Sequence, residues 1–255
     1  MIIIIYIYSF LLGLVVGSFL NSLVYRLYSR QTILGRSFCP LCRKQISWFD
    51  NISVISFIIL HGRCRNCQQK ISWQYPLVEL ITGLLFLAAA VRLNPADSQY
   101  ALLLMRDWLM IFTMIFVCVY DLKYYAIEDV VVLPMAAAVL IINLFLKFSW
   151  INLVLSGIGS ALFFLFQYCL SRGKGIGFGD FRIGILLGLY FGWPKIVLAI
   201  FLSYMIGSII SLALVILRQK KMTSMVPLGP FLSIGALITI FYGQNILVWY
   251  LSFLK

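Results

Sequence analysis

Apolar residues fill this chain in runs of about twenty, the length that carries a helix across hydrocarbon, and short segments richer in glycine, proline and charge separate the runs. Backbone polar groups find no water in a bilayer, so each such run predicts a membrane-crossing helix. The pattern predicts eight, over 2–24, 76–92, 102–120, 130–147, 153–170, 181–194, 195–217 and 227–252. The sixth is the shortest, because Trp193-Pro194 interrupts the run from Phe181 to Leu217. That dipeptide marks either a turn between two helices or a kink within one, which would leave seven spans. The first run has no basic residue before it and is long enough to span, so it reads as a retained helix and not as a cleaved signal.

The fold class predicted is therefore an all-α polytopic membrane protein of about eight transmembrane helices. One segment, 25–75, reads as a separate soluble unit. The domain organisation that follows is a first helix (1–24), a soluble loop domain (25–75) and a transmembrane remainder (76–255). The pattern suggests no internal repeat and no low-complexity linker.

Composition supports the membrane reading: 63% of residues are hydrophobic, 11% are charged, and the mean hydropathy is +1.02. The formal charge of +12 would raise nucleic acid as a partner for a soluble protein. Here the basic residues are placed asymmetrically. With eight spans, 15 of the 20 lysines and arginines fall on the side that carries 25–75, and only Arg92, Arg106, Lys147, Lys195 and Lys255 on the other. Short basic loops stay in the cytoplasm. The asymmetry puts the 25–75 loop in the cytoplasm and both termini outside, and it explains most of the net charge through lipid and topology, without a nucleic-acid partner.

The soluble loop contains "CPLC" (Cys39, Cys42) and "CRNC" (Cys64, Cys67), with 21 residues between the pairs. Two close thiolate pairs can complete a tetrahedral zinc shell, and an insert of this size suits a zinc-ribbon-like fold. Four protein ligands leave no open position for water, so the expected role of the zinc is structural. A pair of disulfides is the alternative, disfavoured by a reducing cytosol. His61, three residues before Cys64, is an alternative fourth ligand. Cys118 and Cys169 fall within predicted spans and are expected to be buried packing residues.

With only eight acids in the chain, each can be inspected. Asp50, Asp97 and Asp107 read as solvated residues in or near loops. Glu79 begins the second predicted helix, where the helix dipole favours a carboxylate. Asp121 ends the third, where a negative charge opposes the dipole by about 0.3–1 kcal/mol; an unfavourable placement invites a functional reason. Asp129 precedes "VVVLP" and is placed to cap the fourth helix. Asp180 follows Gly173, Gly175, Gly177 and Gly179 and is placed to cap the sixth, whose 13 apolar residues would reach only about 20 Å against a hydrocarbon core of about 30 Å. Such a helix begins below the membrane surface and carries its aspartate inward. Two aspartates at one membrane face, in a chain with a single histidine, suggest hydrolysis by a carboxylate pair, one ionised to activate water and one protonated.

In chain order, the motifs "GLVVGSFLNSLVYRL" (13–27), the two cysteine pairs, "YPLVELITG" (75–83), "DLKYYAIED" (121–129), "GFGDFR" (177–182) and "VPLGPFL" (226–232) resemble those of the bacterial type IV prepilin peptidases, GxGD-type membrane aspartic proteases of the leader peptidase/N-methyltransferase family. The resemblance covers nearly the whole chain. It implies that Asp121 and Asp180 are catalytic, with Gly177, Gly179, Arg182, Asp129 and Glu79 in support. It also implies cleavage of prepilins and pseudopilins of type IV pilus or type II secretion systems, in the inner membrane, between a basic leader and an apolar helix. N-methylation from S-adenosylmethionine would follow, at a binding site the sequence does not locate. Two positions depart from the family pattern: Ile127-Glu128-Asp129 stands where Ile-Pro-Asp is frequent, and Arg182 where lysine is. The alternatives are a peptidase without methylation, or a non-catalytic membrane transporter or scaffold.

Small residues four apart, Gly13/Gly17 and Gly184/Gly188/Gly192, allow close helix approach. They are expected to serve packing within the chain or a homodimer face.

Overall fold

A computed structural model of the chain describes residues 2–33, 35–47, 50, 54–173, 175–219 and 226–253. All its regular elements are helical: α1 (Ile2–Tyr28), α2 (Ile55–Ile59), α3 (Gln74–Arg92), α4 (Tyr100–Tyr124), α5 (Asp129–Phe145), α6 (Trp150–Ser171), α7 (Phe178–Phe191), α8 (Lys195–Ile216) and α9 (Gly229–Ser252). Among the described residues six of these, α1, α3, α4, α6, α8 and α9, are long and apolar enough to cross a membrane. The chain is thus an all-helical, multi-pass membrane protein. Each predicted run corresponds to one helix, but α5 and α7 are shorter than a span requires on length alone.

The Trp193-Pro194 question resolves as a turn. Gly192 has a left-handed φ of 63° and ends α7, and α8 starts at Lys195. Asn152 of α6 holds the turn from the side: its Oδ1 accepts from the Trp193 N–H at 2.7 Å, and its Nδ2 donates to the Trp193 carbonyl at 3.2 Å.

The chain packs as two compact units, Met1–Asp97 and Ser98–Lys255. In the first, α1 lies against α3 through its small residues. A Cβ built at Gly13 would sit 2.7 Å from the Gly83 Cα, and one at Gly17 would sit 2.7 Å from the Glu79 Cα. In the second, α6 packs on α7 in the same way, with a Cβ at Gly188 only 2.4 Å from the Ser156 carbonyl oxygen. The glycine stripes therefore serve packing inside the chain. Cys169 stands exposed on α6 and Cys118 is half-buried, so the expectation of two buried thiols fails; their positions on the helix faces, not the apolarity of the runs, decide it.

Asp107 was expected to be solvated and is fully buried. It accepts from the Tyr190 hydroxyl of α7 at 2.5 Å and pairs with Arg106 at 3.0 Å. The Arg106 guanidinium lies over the Tyr190 ring at 4.7 Å and donates to Asn143 of α5, whose own amide donates to the Leu189 carbonyl. One acid thus ties together α4, α5 and α7. Breaking a buried ion pair by removing one partner leaves the other charge uncompensated, at a cost of about 3–5 kcal/mol. Asp107→Ala is expected to lower stability in detergent by that order, and Tyr190→Phe by about 1–3 kcal/mol through the lost hydrogen bond to a charged group. Denaturant titration followed by tryptophan fluorescence checks both; unchanged midpoints would mean that the network does not bind the helices together.

Candidate active site and metal centre

The cysteine-bearing segment is built around two equivalent turns. Phe38 bridges to Gln45, and Arg63 bridges to Lys70. Inside each bridge the first cysteine donates its N–H forward (Cys39 to Lys44 at 3.0 Å, Cys64 to Gln69 at 2.9 Å) and accepts one back at 2.9 Å (from Arg43 and from Gln68). Arg43 and Gln68 share the same left-handed φ of 56°. The sequence carries the same signal: "CPLCRKQISW" (39–48) and "CRNCQQKISW" (64–73) are one motif written twice. The expectation of no internal repeat is therefore wrong. Only ten residues repeat, too few to register against the long apolar runs.

The two turns bring the sulfurs of Cys39, Cys42, Cys64 and Cys67 within 4.8 Å of one another, with Cys39 and Cys67 at 3.9 Å. Tetrahedral zinc with bonds of about 2.3 Å needs sulfurs about 3.8 Å apart, so the donor set fits a metal. The backbone N–H of Cys67 directed at the Cys64 sulfur lowers the pKa of that thiol. His61 is exposed and outside the cluster. Asp50, expected to be solvated, is instead in a bidentate pair with Arg65, which bonds both its oxygens at 2.7 and 2.9 Å.

Glu79 lies on α3, buried, and accepts from the Val54 N–H at 2.9 Å. Its contacts are within the first unit, where it fixes the turn that leads into α2.

The second unit positions the two aspartates. Asp121 lies in the last turn of α4, and Asp180 in the first turn of α7; they are 6% and 4% exposed. The 125–128 connection brings the two helix ends together, with Ile127 against Gly179, the residue before Asp180. α7 begins at Phe178, three residues before the predicted start, with Gly177 as the residue before its first turn. Asp180 is consequently not the cap itself. It is the third helical residue, and its Oδ2 accepts from the Gly177 N–H at 3.0 Å. Asp121 is oriented by α9: its Oδ2 accepts from the Gly229 N–H at 2.8 Å.

Between the two acids runs the 125–128 connection. Tyr125 ends α4 in a left-handed conformation, φ 52°. Glu128, where the resembled family often has proline, accepts from the Tyr120 hydroxyl of α4 at 2.5 Å, so a hydrogen bond closes the turn. Ile127 packs on the glycine before Asp180: a Cβ at Gly179 would lie 2.8 Å from the Ile127 Cβ. Asp129 does not cap α5. Glu128 holds that position without a side-chain cap bond, and Asp129 pairs with Arg182 of α7, whose guanidinium also lies over the Phe178 ring at 5.2 Å. The predicted residues Gly177, Gly179, Arg182 and Asp129 thus gather around the acid pair.

Gly229 escaped the sequence reading of roles. The signal was in "VPLGPFL", whose prolines drew attention as a helix start, whereas its glycine is the residue that touches Asp121. A methyl group there would sit 2.6 Å from Asp121 Oδ2.

Residues 11–93 match the family described as Bacterial Peptidase A24 N-terminal domain, and residues 108–212 match the Type IV leader peptidase family. Among curated proteins the chain is similar to the prepilin leader peptidase/N-methyltransferase of Aeromonas salmonicida, at 32% identity over 95% of this chain and 92% of that one. It is also similar to the proteins so named in Pseudomonas aeruginosa, at 31% over 96% and 93%, and Legionella pneumophila, at 29% over 95% and 93%. No solved structure matches the chain.

Proposed function

This chain belongs to the prepilin leader peptidase/N-methyltransferase family, and on that premise we propose that it cleaves prepilins and pseudopilins with Asp121 and Asp180 as the catalytic pair. The observation that carries the reading is the burial of both carboxylates at adjoining helix ends, each anchored by a backbone N–H from a glycine. Each carboxylate has two oxygens, and the glycine N–H groups engage Oδ2 of each, which leaves the other oxygen of each to water or substrate. The ionised member takes a proton from water as the hydroxyl adds to the peptide carbonyl carbon. The protonated member donates to the carbonyl oxygen. Collapse of the tetrahedral intermediate breaks the C–N bond, and the proton taken from water passes to the leaving amine. The proton is a property of the pair, not of one residue.

The substrate expected is a basic leader joined to an apolar helix, cut at the cytoplasmic face. The Lys/Arg asymmetry supports placing 25–75 and the aspartates on that side of a bacterial inner membrane, with both termini outside. All eight apolar helices would then cross, α5 and α7 included. At 1.5 Å per residue α7 reaches about 21 Å of a core of about 30 Å, which agrees with Asp180 lying below the surface. Segment 25–75 is the metal-binding domain and 76–255 the peptidase portion. Zinc held by Cys39, Cys42, Cys64 and Cys67 would brace the loop, with no ligand position open for catalysis.

The N-methyltransferase half of the family name brings S-adenosylmethionine as methyl donor. A cavity in the first unit, lined by four arginines and no carboxylate, does not suit a donor that carries sulfonium and ammonium charges. Mass analysis of the cleaved product with and without the donor tests methylation separately from cleavage: a product one methyl heavier supports it, and an unmodified N-terminus leaves a peptidase alone.

Gly229→Ala is expected to lower kcat by about 10²-fold, the scale of a displacement near 1 Å at a reacting group, with little change in KM. Steady-state cleavage of a prepilin peptide in detergent checks this; a kcat equal to that of the parent chain would remove the role assigned to the Gly229–Asp121 contact.

A further inference from the structure

At the end of α1 the first unit forms a cavity of about 770 Å³ that neither the aspartate pair nor the cysteine cluster uses. Arg26, Arg30, Arg36 and Arg43 line it, with Tyr25 and Phe38. Arg26 is buried and donates to the carbonyls of Ile33 and Gly35, the latter at 2.8 Å, so it braces the wall. Arg30, Arg36 and Arg43 are exposed. Arg43 is fixed by the first cysteine turn, its N–H donating to the Cys39 carbonyl, and Phe38 meets Tyr25 of α1 edge-on at 6.1 Å. The helix end and the cysteine turn therefore build the cavity together.

Among the described residues no carboxylate lines it, and the acids of this unit are placed elsewhere. Asp50 is paired with Arg65, Glu79 accepts from Val54, and Asp97 follows the opposite end of α3. Guanidinium groups gathered around one cavity repel one another unless an anion joins them, and their planar fork matches phosphate oxygens in pairs. Topology alone asks for basic residues in the loop, not for three around a cavity. The position directly after a membrane-crossing helix is headgroup level, where basic pockets take anionic lipid. A basic leader peptide has the wrong charge for it.

We propose that this cavity binds the phosphate of an anionic phospholipid, held by Arg30, Arg36 and Arg43, with Tyr25 and Phe38 against the glycerol backbone. The site goes beyond the peptidase reading and is read by lipid retention, not by cleavage, so either can fail without the other.

The test is native mass spectrometry of the purified full-length protein with phosphatidylglycerol or phosphatidylcholine, and with inorganic pyrophosphate as a soluble anion. Phosphatidylglycerol is expected to be retained in preference to phosphatidylcholine, and R36Q/R43Q is expected to weaken that retention by roughly tenfold or more, since each arginine facing an anionic surface contributes severalfold. Glutamine is compatible with the backbone at 43, because Gln68 occupies the equivalent position of the second turn. Unchanged metal content confirms that the variant is folded, and R30Q supplies an independent variant outside the cysteine turns. R63Q/K70Q removes the same charge from the same loop and is expected to leave retention unchanged. Equal losses in the two double variants, no preference between the lipids, or pyrophosphate bound at the cavity without competition from phosphatidylglycerol would each overturn the proposal.

Discussion

Asp121→Asn and Asp180→Asn are each expected to end prepilin cleavage while the protein still inserts in the membrane. General acid and general base each contribute about 10²–10⁴-fold, and asparagine replaces an ionisable oxygen with an amide that neither accepts nor delivers the proton required. The surroundings survive the change. Asparagine keeps an oxygen able to accept from Gly229 or Gly177, so the contacts that orient the side chains at 2.8 and 3.0 Å persist. The variants therefore separate proton transfer from folding. Because the proton belongs to the pair, the double variant is expected to be no worse than either single one, the non-additivity of groups that act as a unit. Cleavage retained by either purified variant would remove the carboxylate pair as the catalyst.

The second large effect concerns the cysteine cluster. Replacing Cys39, Cys42, Cys64 and Cys67 with serine is expected to abolish bound zinc, from about one ion per chain, the stoichiometry of a single four-thiolate site. It is also expected to open segment 25–75 to proteolysis, since its described regular structure is one five-residue helix and two isolated bridges. Such a segment has little apolar core of its own, and binding energies of about 10–16 kcal/mol for structural zinc are folding energy where no site is preformed. Metal analysis of the purified chain before and after substitution checks the first half, and limited proteolysis checks the second. Absence of metal in the parent chain, purified without chelator, would contradict the site.

Much of this molecule could be read from one-dimensional pattern because a bilayer imposes one. Each apolar run became a helix, and the errors lay at helix ends, where capping decides and hydropathy is silent. α7 shows why. Its start moved from Phe181 to Phe178 because Gly177 and Asp180 close a turn that an apolarity count does not register. Asp107 was misread for a related reason: its place near a helix end suggested water, but Tyr190 of α7, which bonds it, and Asn143 of α5, which holds its neighbour Arg106, come from helices distant in sequence. The cysteine spacing is strongly informative, since tetrahedral geometry restricts the pattern, whereas the twofold repeat of ten residues around it is too short to stand out beside the apolar runs. The departure at Glu128 could be noticed but not interpreted from sequence, because its compensation is a hydrogen bond from Tyr120, one helix turn before the loop. Resemblance supplied the pairing of Asp121 with Asp180; spacing did not, as 59 positions separate them in the chain.

The central claim is that this membrane protein hydrolyses a peptide bond at the base of an apolar helix. The most direct measurement is incubation of the purified full-length chain with a prepilin bearing a basic leader, followed by mass determination and N-terminal sequencing of the product. The account predicts a shortened chain that begins at the apolar helix, together with the released leader. A prepilin that stays bound and intact would contradict it and favour a scaffold.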